Sequence, residues 1–232
     1  MFVEFENVSR FYKSGGFEIR ALDNVSFGFE EGKLTIILGP SGSGKSTLLN
    51  LLGGMDTATS GRITVDGKNV TGMNQKQLTQ YRRTDIGFVF QFYNILPNLT
   101  AYENVDMAHR LCQSSIGAEE ALNAVGLGDR MLNFPAQLSG GELQRVSIAR
   151  ALSKNPRIML CDEPTGALDS ETGKRVISFL KKMVEEYHTT VIIITHNAAI
   201  AGVADTVLRL KDGHVESIVK NEKPLAVDEV EW

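Results

Sequence analysis

The chain has 232 residues, of which 42% are hydrophobic, and this is enough for one globular domain with a substantial core. Its formal net charge of −4 argues against the strongly basic surface that a sequence-independent DNA-binding protein needs. We therefore expect no nucleic-acid partner, although the composition leaves room for local basic patches. The two cysteines, Cys112 and Cys161, fit neither a metal site nor a disulfide framework, so we expect small core side chains in a reducing compartment.

No apolar run approaches the roughly 20 residues that span a bilayer. Residues 1–6 also lack the basic region of a signal peptide. These features predict a cytoplasmic chain that reaches a membrane only through a partner.

The first third of the chain begins with β-strand patterns. Apolar and polar residues alternate at 3–6 and again at 25–30, which is the period of half-buried strands, and antiparallel pairing is expected. Between them, Tyr12 stands beside a glycine turn. The composition favours plain packing for Tyr12, and the alternative is a stacking platform for a purine ring.

The stretch Gly39–Thr47 fits the phosphate-loop pattern G-x-x-x-x-G-K-[ST], between an apolar strand at 34–38 and a helix-forming run at 48–52. In this pattern backbone N–H groups turn toward an anion, Lys45 contributes a charge for the outer phosphates and Ser46 offers a hydroxyl to Mg²⁺. The strand–loop–helix order disfavours an ordinary Gly/Ser-rich loop. The candidate nucleotide-binding residues here are Gly39, Pro40, Ser41, Gly42, Ser43, Gly44, Lys45, Ser46 and Thr47.

Further strands and a helix follow the loop. Residues 61–65 alternate as a strand, residues 74–83 form a polar helical stretch, and a strand at 85–90 delivers Gln91 at its end. The apolar segment 92–100 is broken by Pro97. It suits either a surface that offers apolar side chains to a partner or an ordinary packed loop, and both interpretations stay open.

A second dense motif occupies Leu138–Glu142. Residues 101–129 before it are expected to be helical. Ser139 and Glu142 have the spacing of a capping box, which by itself is the favoured interpretation. A helix that starts with Gly140 and Gly141 also exposes N–H groups, so a second phosphate site is the alternative.

Two later apolar strands end in polar side chains. The strand at 157–161 leads to Asp162 and Glu163, and the strand at 190–195 leads to His196. Since parallel sheets collect ligands at the carboxyl ends of their strands, Asp162 is a candidate Mg²⁺ ligand and Glu163 a candidate base for an attacking water. Solvated acids and a structural histidine are the alternatives.

The C-terminal part contains a helix, a hairpin and a tail. Asp169 is predicted to cap a helix that runs to about Tyr187, and residues 205–220 a hairpin that turns at Asp212. The acidic tail 221–232, which ends in Trp232, is expected to be mobile.

Taken in order, these motifs resemble those of ATP-binding cassette (ABC) ATPases, the nucleotide-binding subunits of ABC transporters. The sequences of 39–50, 87–91 and 162–169 resemble most the macrolide-export, lipoprotein-releasing and peptide-resistance branch. The resemblance implies an α/β fold with a phosphate-loop (RecA-like) core and a mainly parallel sheet, an N-terminal antiparallel β subdomain and a helical signature subdomain at about 92–156, all within one domain of residues 1–232.

The same resemblance implies an ATPase with ATP and Mg²⁺ as cofactors. Tyr12 would stack on adenine, Gln91 would reach the metal and the attacking water, and His196 would contact the γ-phosphate. Two copies would pair head to tail, so that Ser139, Gly140, Gly141 and Glu142 of one close over the ATP of the other. Asp169 would lie in the loop that crosses this interface.

The implied function is to drive a separate integral-membrane permease from the inner face of the membrane, for export or for lipoprotein or peptide handling. The open alternative is a cassette that recruits partners and uses ATP only as a switch. Glu142 stands where many family members have Gln, and Leu143 where the branch more usually has a polar residue.

Overall fold

The N-terminal residues form an antiparallel sheet in the computed structural model, which describes residues 1–112 and 115–230, with the backbone alone at Ser14. Its strand order is β2-β1-β4-β5. Alternate residues of β1, such as Val3 and Phe5, are buried, as the pattern predicts. The strands are β1 (Val3–Ser14), β2 (Phe17–Phe29), β4 (Ser60–Val65) and β5 (Lys68–Asn69).

A second sheet of six strands has the order β10-β9-β3-β8-β7-β6 and is parallel except for the β9–β10 hairpin. Its central strands are apolar and buried on both faces, as is usual for parallel strands. Their carboxyl ends therefore meet at one edge. The strands are β3 (Leu34–Leu38), β6 (Ile86–Val89), β7 (Ile158–Asp162), β8 (Thr190–Thr195), β9 (Thr206–Lys211) and β10 (His214–Lys220).

Side-chain caps begin four of the six α-helices in the described part of the chain. Asn74, Thr100 and Ser139 each form a capping box, and the Asp169 side chain accepts from Thr172 N. The helices are α1 (Lys45–Leu52), α2 (Gln75–Thr84), α3 (Ala101–His109), α4 (Ala118–Ala124), α5 (Gly140–Leu152) and α6 (Ser170–Tyr187), with 3₁₀ turns at Gly128–Arg130, Pro135–Gln137, Ala198–Val203 and Val227–Glu229.

The six-stranded sheet separates two apolar cores. Ile36 of β3 faces the core that contains α3 to α6, whereas Ile37 faces the core shared with α1 and the antiparallel sheet. Successive side chains of a strand point to opposite faces, so one buried strand contributes to both cores. The predicted fold class is confirmed, while the limits 92–156 for a helical subdomain stay a prediction.

Within the described residues, no helix is both long enough and apolar enough to cross a membrane.

Three expectations were wrong. The stretch 101–129 contains two separate α-helices. The helical pattern stops at the end of α3 and begins again only after Gly117, the N-cap of α4. Cys161 is buried, but Cys112 is only partly buried and donates its thiol to Arg83 O at 3.0 Å.

The third wrong expectation concerns the C-terminal tail. Its described part packs on the domain instead of moving freely, because Val227 and Val230 are 8% and 5% exposed and belong to the core beside α6. Lys181 Nζ of α6 also donates to Leu225 O at 3.0 Å. The net acidity of the segment concealed these two apolar anchors. Trp232 lies outside the described residues.

Candidate functional site

The phosphate loop connects β3 to α1 through positions where only glycine fits. A Cβ on Gly39 would lie 2.2 Å from Leu210 O, and one on Gly44, whose φ is +102°, would lie 2.2 Å from Ala21 O. Lys45 Nζ donates to Gly39 O at 2.7 Å and to Pro40 O at 2.9 Å. Burial lowers the pKa of Lys45, and the nearby carboxylates of Glu163 and Asp162 oppose that shift.

A cleft of about 660 Å³ opens above this loop at the carboxyl ends of the parallel strands. The structure brings together side chains that are far apart in the sequence, since β6, β7 and β8 each end at the cleft. Its lining residues are Ser41, Gly42, Gly44, Lys45, Ser46, Thr47, Gln91, Asp162, Glu163 and His196.

Glu163 is held in one orientation by β8. Thr195 Oγ1 donates to Oε2 at 2.8 Å, and His196 contacts Oε1 through its backbone N at 3.0 Å and through Nδ1 at 2.8 Å. The φ of Glu163 is +46°, an unfavourable value for a residue with a Cβ. Such local strain is characteristic of functional sites.

Asp162 lies beside Glu163 but in a different environment. Burial, followed by the charge of Glu163, raises the pKa of Asp162, while a hydrogen bond from Ser46 and the charge of Lys45 act in the opposite direction. The favourable contacts with Ser46 and Lys45 therefore do not fully offset the effects of burial and of Glu163 on this carboxylate. Gln91 also lines the cleft, and its Nε2 lies 3.2 Å from the position that a Cβ on Gly166 would occupy.

The residues of the second motif, Leu138–Glu142, which we call the signature, lie elsewhere on the same chain. Among the described residues, those that line the cleft do not include Ser139, Gly140 or Gly141. Ser139 N and Oγ both donate to Glu142 Oε2, at 2.8 Å and 2.9 Å, and Glu142 N donates back to Ser139 Oγ at 3.3 Å. The predicted capping box is confirmed, and both Ser139 and Gly140 are exposed to solvent.

Tyr12 also lies outside the set that lines the cleft. Its hydroxyl donates to Asp56 Oδ2 at 2.7 Å, and Arg10 lies over its ring. The sequence interpretation missed Arg10, Asp56 and Thr195. Thr195 carried a signal, as a hydroxyl residue at the end of an apolar strand, whereas nothing local linked Asp56 to Tyr12.

An apolar groove of about 500 Å³ lies next to Gln91. Phe88 and Phe90 stack in it with ring centroids 5.4 Å apart, and Arg82, Arg150 and Lys154 line it as well. Arg150 holds the turn after Gln91 through Tyr93 O at 2.9 Å and Asn94 O at 2.5 Å. Beyond this turn, Phe92 is 78% exposed.

Comparison with known proteins agrees with this architecture. Residues 22–166 match the model of the ABC transporter family. The chain is 41% identical, over 99% of its length, to the ABC transporter ATP-binding protein MG065 homolog of Mycoplasma pneumoniae, of which it spans half. It is 43% identical, over 93% of its length, to the macrolide export ATP-binding/permease protein MacB of Photorhabdus laumondii, of which it spans 34%.

Another relative is similar over nearly its whole length. The chain is 44% identical to the ABC transporter ATP-binding protein MJ0796 of Methanocaldococcus jannaschii, over 92% of this chain and 95% of that protein. The dimeric structure of that cassette in a post-hydrolysis state, bound to ADP and Pi, superposes with a TM-score of 0.85 over 94% of this chain and 98% of the other. The chain therefore belongs to the ABC transporter family, in which it is an ATP-binding ATPase domain.

Proposed function

We propose that this chain hydrolyses ATP between two copies arranged head to tail. The observation that carries the proposal is the division of the site: the cleft holds the phosphate loop and the strand-end residues, while Ser139 and Gly140 are exposed outside it. A second copy can place that exposed helix start over the nucleotide, since free N–H groups at a helix N-terminus bind phosphate. The dimeric structure of MJ0796 supports the same arrangement.

The residues of the cleft fit a nucleotide with Mg²⁺. Ser46, Gln91 and Asp162 supply the hard oxygen ligands that this ion prefers, and the raised pKa of Asp162 fits a carboxylate that a cation would complement. The described residues include no cluster of three or more His, Cys, Asp or Glu side chains for a metal. Phosphate oxygens and water would thus complete the coordination, which neutralises charge on the phosphates.

The strand-end side chains would act on water and the γ-phosphate. Glu163 is oriented by Thr195 and His196, and an oriented carboxylate can accept a proton from an attacking water. His196 is exposed in the cleft, and its Nε2 can donate to the γ-phosphate in the form of the ring that carries a proton on that nitrogen. Lys45 would exchange its two loop carbonyls for the outer phosphates.

The groove beside Gln91 favours coupling to a membrane partner. A cytoplasmic helix of a permease, with an apolar side for Phe88 and Phe90 and an acidic side for Arg82 and Arg150, would fit it. Phe88 lies on β6 and Phe90 immediately precedes Gln91, so an occupant of the groove would act on the backbone that carries this cleft residue. Such a partner would hold the chain on the cytoplasmic face of the membrane, and the likeness to MacB favours export.

The substitution Glu163→Gln tests the hydrolytic site. We expect a variant that binds ATP and forms a stable dimer with almost no turnover, because the base is lost while the phosphate contacts remain. Size-exclusion chromatography with ATP and a phosphate-release assay measure the two properties, with Glu120→Gln on the exposed face of α4 as a control. A monomer that hydrolyses ATP at the normal rate would reject this role.

A further inference from the structure

Arg10, Tyr12 and Asp56 form a compact cluster that links the antiparallel sheet to the loop after α1. Arg10 binds the Asp56 carboxylate with two nitrogens, Nε at 2.9 Å and Nη2 at 2.7 Å. The Tyr12 hydroxyl donates to the same carboxylate at 2.7 Å, and the Arg10 guanidinium lies 4.4 Å from the centre of the Tyr12 ring. Thr57 N completes the set of donors to Asp56 at 2.7 Å.

The cluster fixes the ring of Tyr12 in two ways. The hydroxyl bond restricts rotation of the ring about its side chain, and the guanidinium covers one face through a cation–π contact. Both Arg10 and Asp56 are only 21% exposed, so water competes weakly for these contacts. A second flat group can therefore stack only on the opposite face of the ring.

The cluster is connected to the phosphate loop through β2 on one side and through α1 on the other. Tyr12 pairs with Ile19 of β2, and Ala21 O, two residues further along that strand, lies against Gly44. Two residues of a strand span about 7 Å. Asp56 follows α1, the helix that begins at Lys45. The backbone at Tyr12 is thus connected to the phosphate loop through a short stretch of β2, and Asp56 is connected to it through α1.

We propose that Arg10 and Asp56 are positioning residues that hold Tyr12 as the platform for the purine base of ATP. This inference rests on the proposed function, in which the triphosphate occupies the cleft. The base stacks on the face that Arg10 leaves free, and the cluster removes the ordering cost that a mobile tyrosine would impose on binding. Arg10 and Asp56 themselves touch neither the phosphates nor the reacting atoms.

Two ligands separate positioning of the base from general structural support. The variants Arg10→Met and Asp56→Asn are titrated with Mg²⁺–ATP and with Mg²⁺–tripolyphosphate, which lacks the base. We expect ATP affinity to fall about three- to tenfold, a part of what base–aromatic stacking contributes, and tripolyphosphate affinity to stay unchanged. Arg10→Lys, which keeps the charge, should recover part of the loss.

Arg157 offers a matched control in a similar setting. Its guanidinium lies 4.9 Å from the ring of Phe2 and pairs with Glu31 and Asp66. Arg157→Met should therefore alter thermal stability but not the ratio of the two affinities.

Three outcomes would overturn the inference or its basis. If Arg10→Met and Asp56→Asn weaken ATP and tripolyphosphate equally, the cluster is structural support and the inference is wrong. If Tyr12→Leu binds ATP as tightly as the parent chain, Tyr12 is not the platform, and the inference fails while the phosphate site stands. If the parent chain binds neither ligand, the proposed function itself fails.

Discussion

At the scale of single residues, the charged side chains of the cleft have hydrogen-bond partners within the protein. The Lys45 ammonium group bonds to two carbonyls of its own loop, and the Glu163 carboxylate accepts from Thr195 and His196. Charged groups that are partly buried need such partners, because desolvation without a hydrogen bond is costly. Nucleotide binding must therefore exchange existing bonds, and this favours a ligand that brings several anionic oxygens at once.

Lys45→Ala tests the phosphate loop. We expect ATP affinity to fall about 10- to 100-fold, the range for losing a hydrogen bond to a charged group. Equilibrium titration with a fluorescent ATP analogue measures the change, and Lys76→Ala on the exposed side of α2 is the control. Unaltered affinity in Lys45→Ala would contradict the assignment of Gly39–Thr47 as the triphosphate site.

At the scale of elements, the start of α5 is packed closely against α6. A Cβ on Gly141 would lie 2.1 Å from Thr172 Cγ2, and Thr172 N is bonded to Asp169, the cap of α6. The second signature glycine thus permits contact between two helices whose first turns both belong to the proposed dimer face. A displacement of the start of α5 would therefore also displace the start of α6, because closely packed groups cannot move independently.

Gly141→Ala measures how tight this contact is. Alanine favours a helix by up to about 1 kcal/mol, but overpacking typically costs about 1–3 kcal/mol, so we expect net destabilisation. Thr172→Ser removes the obstructing methyl group and should restore stability in the double variant. Urea unfolding of the parent chain, the two single variants and the double variant gives the interaction free energy between positions 141 and 172. A Gly141→Ala single variant that is as stable as the parent chain would contradict the close contact.

At the scale of the whole molecule, the start of α5 is exposed and does not line the cleft of its own chain. In the proposed head-to-tail pair, the cleft of one copy and the start of α5 of the other would form one site, and the pair would have two such composite sites. Bound ATP would then contact both subunits and stabilise the dimer, in addition to being the substrate. Hydrolysis would weaken that contact and reopen the pair, which is the motion that a permease in the Phe88–Phe90 groove could follow.

A mixed dimer tests the composite site. Ser139→Arg and Lys45→Ala subunits are each expected to be inactive alone, because every site in either homodimer has one damaged half. Mixed together, they form dimers with one intact site and should regain part of the ATPase activity. Phosphate release from defined mixtures provides the measurement.

The control for this experiment is Thr100→Arg, which breaks an equivalent capping box on α3. Since α3 is not part of the proposed composite site, Thr100→Arg subunits should not show the loss of ATPase activity that is expected of Ser139→Arg subunits. An inactive but well-formed mixed dimer would show that Ser139 is only a cap or that both sites must be intact together.

Short-range patterns in the sequence were sufficient for much of the fold and for the core of the site. The phosphate loop, the capping box at Ser139, and the apolar strands that end at Asp162 and His196 are recognisable because their information lies within a few residues. The carboxyl ends of parallel strands share one edge, so the strand pattern also predicted which side chains would converge.

The tertiary structure alone decided the contacts between distant segments. Tyr12 and Asp56 are 44 residues apart, and Thr195 lies 32 residues from Glu163, so no local period relates them. The acidic tail was expected to be mobile because its net charge is visible in the sequence, while the surface that receives Val227 and Val230 forms only when α6 folds against the sheet. Residue spacing determines local conformation, whereas burial and pairing depend on which surfaces the folded chain brings together.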